Sequence, residues 1–242
     1  MNNLNKFFES ICKDRAKITG SPDGKIFEEN FKSYLKRSGF NEMSLTIIDD
    51  GLKRFLKEIK PKILSKNDTQ ILKNSIYLNN TNRKDYANFF IWQPYGSQNF
   101  PDFLVFCQNY IFAIETKFSS KTSNKPMWNS NIPKENSIYV FASYQQRDLT
   151  FFLGHDVIEK KEREELLILW QKTDEEYNKW TKSFRDKINA GKFSNEYGFT
   201  TYIRKAYEQK NTHNKNAILN FFKNKNRKKL EDNVFEFINK HK

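Results

Sequence analysis

Three side chains near the middle of this chain have the types and spacing for chemistry on a phosphate: Asp102, directly after Pro101, then Glu115 and Lys117. They lie on two apolar runs, Asp102-Phe-Leu-Val-Phe-Cys107 and Tyr110-Ile-Phe-Ala-Ile-Glu-Thr-Lys117, separated by the polar break Gln108-Asn109. Two apolar runs about a two-residue break predict a β-hairpin. Pairing Cys107 with Tyr110 sets a ladder that matches Phe106 with Ile111, Leu104 with Ala113 and Asp102 with Glu115. Side chains alternate with period two, so both carboxylates and Lys117 are expected on one face. Opposed residues in an antiparallel pair have Cβ atoms roughly 4.5 to 5.5 Å apart, close enough for two carboxylates to share a divalent cation.

Mg²⁺ suits such a pair, because it takes oxygen ligands, usually one or two carboxylates completed by water and substrate phosphate. The main-chain carbonyl of Thr116 is a candidate further ligand beside Asp102 and Glu115. A bound cation acidifies its water and stabilises charge growing on a phosphoryl oxygen, while an ammonium two residues from Glu115 can orient the water or neutralise the transition state. The set suffices for hydrolysis of a phosphodiester.

Pro101-Asp102, twelve intervening residues, then Glu115-Thr116-Lys117, all on an expected hairpin, resembles in order and spacing the PD-(D/E)XK nuclease superfamily, best known from type II restriction endonucleases. Glu58-Ile59-Lys60, Glu159-Lys160-Lys161 and Glu208-Gln209-Lys210 also read E-x-K, but in segments with helical periodicity, where positions i and i+2 diverge by about 200°. Pro22-Asp23-Gly24 reads as a turn. The resemblance covers residues 24–153 and implies a restriction-endonuclease-like core. It further implies Mg²⁺-dependent, sequence-specific cleavage of double-stranded DNA by a metal-activated water, a homodimer on a palindromic or near-palindromic site, and a cognate DNA methyltransferase that protects the host. Two alternatives stay open. A repair or junction-resolving nuclease on the same core would prefer branched DNA; a non-enzymatic nucleic-acid-binding protein would sit on a decayed core, against which the intact Asp102, Glu115 and Lys117 speak.

The superfamily also tends to supply an acidic residue from a helix ahead of the sheet, and residues 24–37 offer Glu28 and Glu29. At 100° per residue, Phe27, Phe31, Tyr34 and Leu35 form one apolar stripe. Glu28 borders that stripe while Glu29 points away, so Glu28 is the candidate. A first-turn Glu also suits the helix dipole.

Positioning these groups requires a sheet. Strand-like runs cover 88–92, 102–107, 110–117, 137–143 and 148–153, after helical patterns at 4–17, 24–37 and 50–65 and a polar stretch at 74–88. Both faces of the catalytic hairpin are apolar, so helices are expected on both sides. The fold class is therefore α/β, a mixed central sheet of about five strands flanked by helices. Helical patterns then occupy 157–188, 199–210, 217–223 and 227–241, with a break at 191–198. This reading places a catalytic core with its N-terminal helices at 1–153 and a helical, basic C-terminal extension at 154–242, packed on the core rather than independent.

The balance of 42 Lys and Arg against 29 Asp and Glu, net +13, is the electrostatic footprint of a polyanion binder, although a solvated face or a Lys- and Asn-rich composition produces the same surplus. Residues 201–242 hold 11 of the basic groups against 4 acidic ones. The polar loop 119–136 leaves the catalytic strand directly and carries Lys121, Lys125, Trp128, Asn129 and Ser130, types that bind phosphates, stack on bases or bond base edges. Gln98 flanks the other side, and Arg204 and Lys205 lie on a basic helical segment. His155, His213 and His241 are too dispersed for a zinc site. Two cysteines, Cys12 and Cys107, make no disulfide framework. With no membrane-length apolar run and no secretory leader, a cytoplasmic protein is expected.

Overall fold

The computed structural model describes residues 2–65, 70–79, 84–128, 132–192 and 220–241. Its centre is a mixed sheet of seven strands: β1 (Asn41–Glu42), β2 (Leu72–Lys73), β3 (Asn88–Trp92), β4 (Phe103–Cys107), β5 (Tyr110–Ser119), β6 (Ile138–Ser143) and β7 (Asp148–Leu153). The order is β1-β3-β4-β5-β6-β7, with β2 pairing β5; β1–β3 and β5–β6 are parallel and the other pairs antiparallel. Five of these strands are those expected from the apolar runs. The other two, β1 and β2, are two residues each, too short to show a period of two.

The expected hairpin register is observed from Cys107↔Tyr110 to Phe103↔Ile114, but the last expected pair, Asp102 with Glu115, does not form because Asp102 precedes the start of β4. Its turn is clamped from outside: the buried Asn74 donates its main-chain N–H to the Asn109 carbonyl at 2.7 Å and its side-chain amide to the Gln108 carbonyl at 3.0 Å. Beyond Ile114 the two strands part, because β4 begins at Phe103 whereas β5 continues to Ser119 with only β6 alongside. One edge of β5 is thereby left without a strand, and the candidate site forms there.

Helices cover both faces, as the apolar character of the hairpin requires. On one face lie α1 (Asn3–Lys13), α3 (Gly24–Arg37) and α7 (Arg227–Lys240), whose Phe8, Phe31, Leu35, Val234 and Ile238 join Phe103, Val105, Phe112, Ile114 and Phe151 in a core, each of these at most 2% exposed. Edge and tilted ring contacts hold it, with centroids 4.9 Å apart for Phe31–Phe103 and 4.7 Å for Phe8–Phe151. Such pairs add about 0.5 to 1.5 kcal/mol each beyond burial. On the opposite face α4 (Asp50–Ile63) sets Phe55 against Phe106, and Phe221 and Phe222 pack on Phe152 and Phe141. The entries of α3 and α4 are capped by Asp23, which accepts from Lys25 N at 2.8 Å, and Asp49, which accepts from Leu52 N at 2.8 Å.

The first helical pattern is interrupted: α1 ends at Lys13 and a short α2 (Arg15–Ile18) follows, with Asp14 between them bound to the Tyr34 hydroxyl at 2.7 Å. A short α5 (Ser75–Asn79) lies within the stretch read as polar. In the segment expected to be helical at 217–223, residues 220–223 are not helical, because the Asn220 side chain accepts from Phe222 N and Lys223 N, both at 3.0 Å, an Asx-type bond that competes with helix. Residues 217–219, and the helical pattern expected at 199–210, lie outside the described residues.

The chain divides into two compact units. The larger comprises residues 1–127, 133–157 and 216–242, so α7 belongs to the same unit as the sheet. The smaller comprises 128–132 and 158–215 and contains the thirty-residue α6 (Lys160–Asn189). Among the described residues no helix is long and apolar enough to cross a membrane.

Candidate active site

Where β4 and β5 part, the Asp102 carboxylate turns into the gap. Its Oδ2 accepts the Thr116 main-chain N–H at 2.7 Å and the Thr116 hydroxyl at 2.6 Å. A strand N–H points in the plane of the sheet, so the acid occupies the place that the next residue pair of the ladder would otherwise fill. The Thr116 carbonyl leaves the same edge, since N–H and C=O of one strand residue project together. Glu115 and Lys117, two positions apart, share the face carrying Ala113 and Ile111. Lys117 Nζ lies 2.7 Å from Glu115 Oε1, and Glu115 Oε2 accepts the Asp102 N–H at 3.1 Å. All three residues expected to do the chemistry thus meet, within one hydrogen-bonded unit.

Glu28 reaches this unit from α3. Its Oε2 accepts the indole N–H of Trp92 at 3.2 Å, and its pKa is raised from the ordinary value by burial and then by the negative charge of Asp102. Glu29 instead pairs with Lys32 at 2.6 Å, its side chain 63% exposed. The helical phase read from the apolar stripe is the observed one. Trp92 was not among the residues singled out in the sequence, although alternation along 88–92 puts it with Phe90 on the α3 side. Lys32 Nζ stands 4.3 Å over the Trp92 ring, completing a stack that steadies the indole. Glu28→Gln is therefore expected to slow any reaction at Asp102 and Glu115 more than Glu29→Gln; cleavage rates of the two variants side by side check this, and the reverse ranking refutes it.

Glu115 is electrostatically frustrated. Burial, followed by the Asp102 charge, pushes its pKa up from 4.5 to about 7, with Lys117 and the Asp102 N–H opposing. Between those two pH values the folded chain holds a proton that the unfolded chain has lost, so stability declines as pH rises from about 4.5 to about 7. At about 1.4 kcal/mol per unit the loss is at most about 3 kcal/mol. Glu115→Gln, which keeps the shape and removes the charge, is expected to stabilise the protein in EDTA at pH 8 by about 1 to 3 kcal/mol, with little difference at pH 4. Urea melts at the two pH values measure this. A variant no more stable than wild type at pH 8 contradicts the frustration.

The donors fit a hard divalent cation. Among the described residues, Asp102 Oδ1 accepts no hydrogen bond, and a dipositive charge would reverse the penalty on ionised Glu115. Among the described residues no three His, Cys, Asp or Glu side chains stand together as a cage, and Asp102 and Glu115 are the two carboxylates that meet at the gap. Two carboxylates with a carbonyl, water and phosphate are an ordinary Mg²⁺ shell.

The residues expected to contact DNA are less gathered. Gln98 is exposed in the turn that leads to Asp102, and Lys121 and Lys125 are exposed on the loop after β5. That loop is tied to the sheet unit, its Asn124 carbonyl accepting from Phe221 N at 2.9 Å. Trp128 falls in the smaller unit. Asn129, Ser130, Arg204 and Lys205 lie outside the described residues. Compared with protein-family models, curated proteins and solved structures, the chain matches none, so the case for its chemistry rests on the geometry around Asp102, Glu115 and Lys117.

Proposed function

We propose that the chain is a Mg²⁺-dependent, sequence-specific endonuclease of the type II restriction kind, hydrolysing phosphodiester bonds of double-stranded DNA. The observation that carries this reading is the convergence of Asp102 and Glu115 at the open edge of β5, with the Lys117 ammonium 2.7 Å from Glu115. Asp102 and Glu115 would hold the cation, with the Thr116 carbonyl on the same edge. When bound, Mg²⁺ acidifies a water and offsets charge on a phosphate oxygen. Lys117 orients the attacking water through its place on Glu115 and neutralises the charge gathering on the phosphoryl oxygens. The water oxygen bonds to phosphorus as the ester P–O bond breaks, and the two products are a phosphomonoester and a hydroxyl. Glu28, held by Trp92, places a further carboxyl group beside Asp102. A homodimer on a near-palindromic site and a protecting DNA methyltransferase belong to the same reading.

Unmethylated linear duplex incubated with the protein and Mg²⁺ tests it. A fixed set of fragments, abolished by EDTA and by methylation within the cleaved site, is expected. A smear from linear DNA, or selective cutting of four-way junctions, favours the repair alternative, and salt-sensitive binding without cutting favours a non-enzymatic binder.

A further inference from the structure

The function proposed above draws on none of the charge on α4, whose fourteen residues Asp50–Ile63 carry Lys53, Arg54, Lys57, Lys60 and Lys62 against Asp50 and Glu58. The helix buries Leu52, Phe55, Leu56, Ile59 and Ile63, a continuous stripe that packs on the sheet face shared by Ala113, Glu115 and Lys117. Along one border of that stripe Lys53, Lys57 and Lys60 follow at i, i+4 and i+7, all exposed. The far end of this row is tied to the turn that leads to the candidate site. Lys60 Nζ lies 5.4 Å over the Tyr95 ring, and Tyr95 belongs to the turn that delivers Asp102 to the gap. At the end of that turn Phe100 packs on Tyr139, the residue paired with Glu115 across β5 and β6.

We infer that the Lys53, Lys57 and Lys60 row of α4 is a nucleic-acid backbone track, gripping the phosphates of the duplex strand that enters the site. The three positions span about 10 Å of helix axis, a length over which one DNA strand carries about three phosphates. The acidic groups do not block the row: Glu58 projects to the other side, and among the described residues Asp50 meets only Lys53, at 3.2 Å with both side chains exposed, a pair that yields readily to a phosphate. The inference rests on the nuclease reading and extends it to a surface that positions substrate without reading bases.

Binding to a short duplex in Ca²⁺, measured across a range of KCl concentrations, tests the track in the full-length protein. Each phosphate contact contributes about 0.9 to the slope of log K against log salt. Replacing Lys53, Lys57 and Lys60 together by Ala is expected to reduce that slope by about 2 to 3, and Lys57→Ala alone by about 0.9. Arg at all three positions should retain the slope, and a control lacking Lys6, Lys13 and Lys17 on α1 and α2 should match wild type. Equal thermal midpoints identify folded variants, and the single Lys57→Ala protein decides the matter if the triple variant does not fold. A slope that α4 substitution leaves unchanged, or that the control lowers equally, overturns the inference while leaving cleavage by wild type as support for the nuclease reading. Wild type that neither binds nor cuts duplex rejects both. Loss of binding to phosphatidylserine vesicles but not to duplex would assign the row to a membrane surface instead.

Discussion

Asp102→Asn is expected to leave the protein folded and DNA binding measurable while lowering the cleavage rate on the order of a thousandfold or more. Asn has the shape of Asp and can still offer one oxygen to the Thr116 N–H and hydroxyl, so the gap between β4 and β5 keeps its geometry. What is lost is the charge that, with Glu115, would hold the cation. The same substitution lifts a repulsion from Glu115 and Glu28, whose pKa values are raised first by burial and then by the Asp102 charge. Lys117→Ala should match the loss in rate and move Glu115 the opposite way, because the ammonium opposes the rise in its pKa. Single-turnover cleavage with binding measured separately in Ca²⁺ distinguishes these effects. Cleavage by either variant within about threefold of wild type sinks the assignment of the site, since groups acting as a unit usually cost orders of magnitude.

A second large effect is expected far from that gap. Glu231, on α7, is buried between two guanidinium groups: Arg15 on α2 reaches it at 2.7 Å and Arg227 at 3.0 Å, and the Thr150 hydroxyl donates to it at 2.9 Å. Arg227 also grips Asp148 with two bonds of 2.7 and 2.8 Å and donates to the Leu149 carbonyl at 2.7 Å. Arg15 donates to that same carbonyl. Both guanidinium groups thus close the outer edge of β7 against another strand. Removing one partner of a buried pair leaves charge uncompensated, which costs about 3 to 5 kcal/mol. Glu231→Ala should therefore lower the urea midpoint sharply with little change in the denaturant slope. A loss under about 1 kcal/mol would show that water replaces the carboxylate without penalty.

The two sites differ in how far they could be read before folding. The hairpin is local: a two-residue break between apolar runs sets the register, and a period of two then places Glu115 and Lys117 together. The same holds for Glu28, whose phase on α3 follows from four apolar residues of its own helix. Local periodicity also delivers the five longer strands and the α/β class. It carries nothing about β1 and β2, which exist only because β3 and β5 offer open edges. Nor does it hint at the bond between Trp92 and Glu28, 64 residues apart, or the one between Arg15 and Glu231, 216 apart.

By itself, then, the sequence determined which residues have types suited to chemistry on a phosphate and on which strand or helix face each one lies, because a repeat of 2 or 3.6 residues is a property of neighbouring residues. Tertiary structure decided how those faces meet. It began β4 only one residue after Asp102, left the edge of β5 open for the carboxylate and brought α3 alongside. It also buried Glu115 deeply enough to raise its pKa to about 7. Burial and the repulsion between two carboxylates depend on distance through space, and only the packed sheet brings those distances into being.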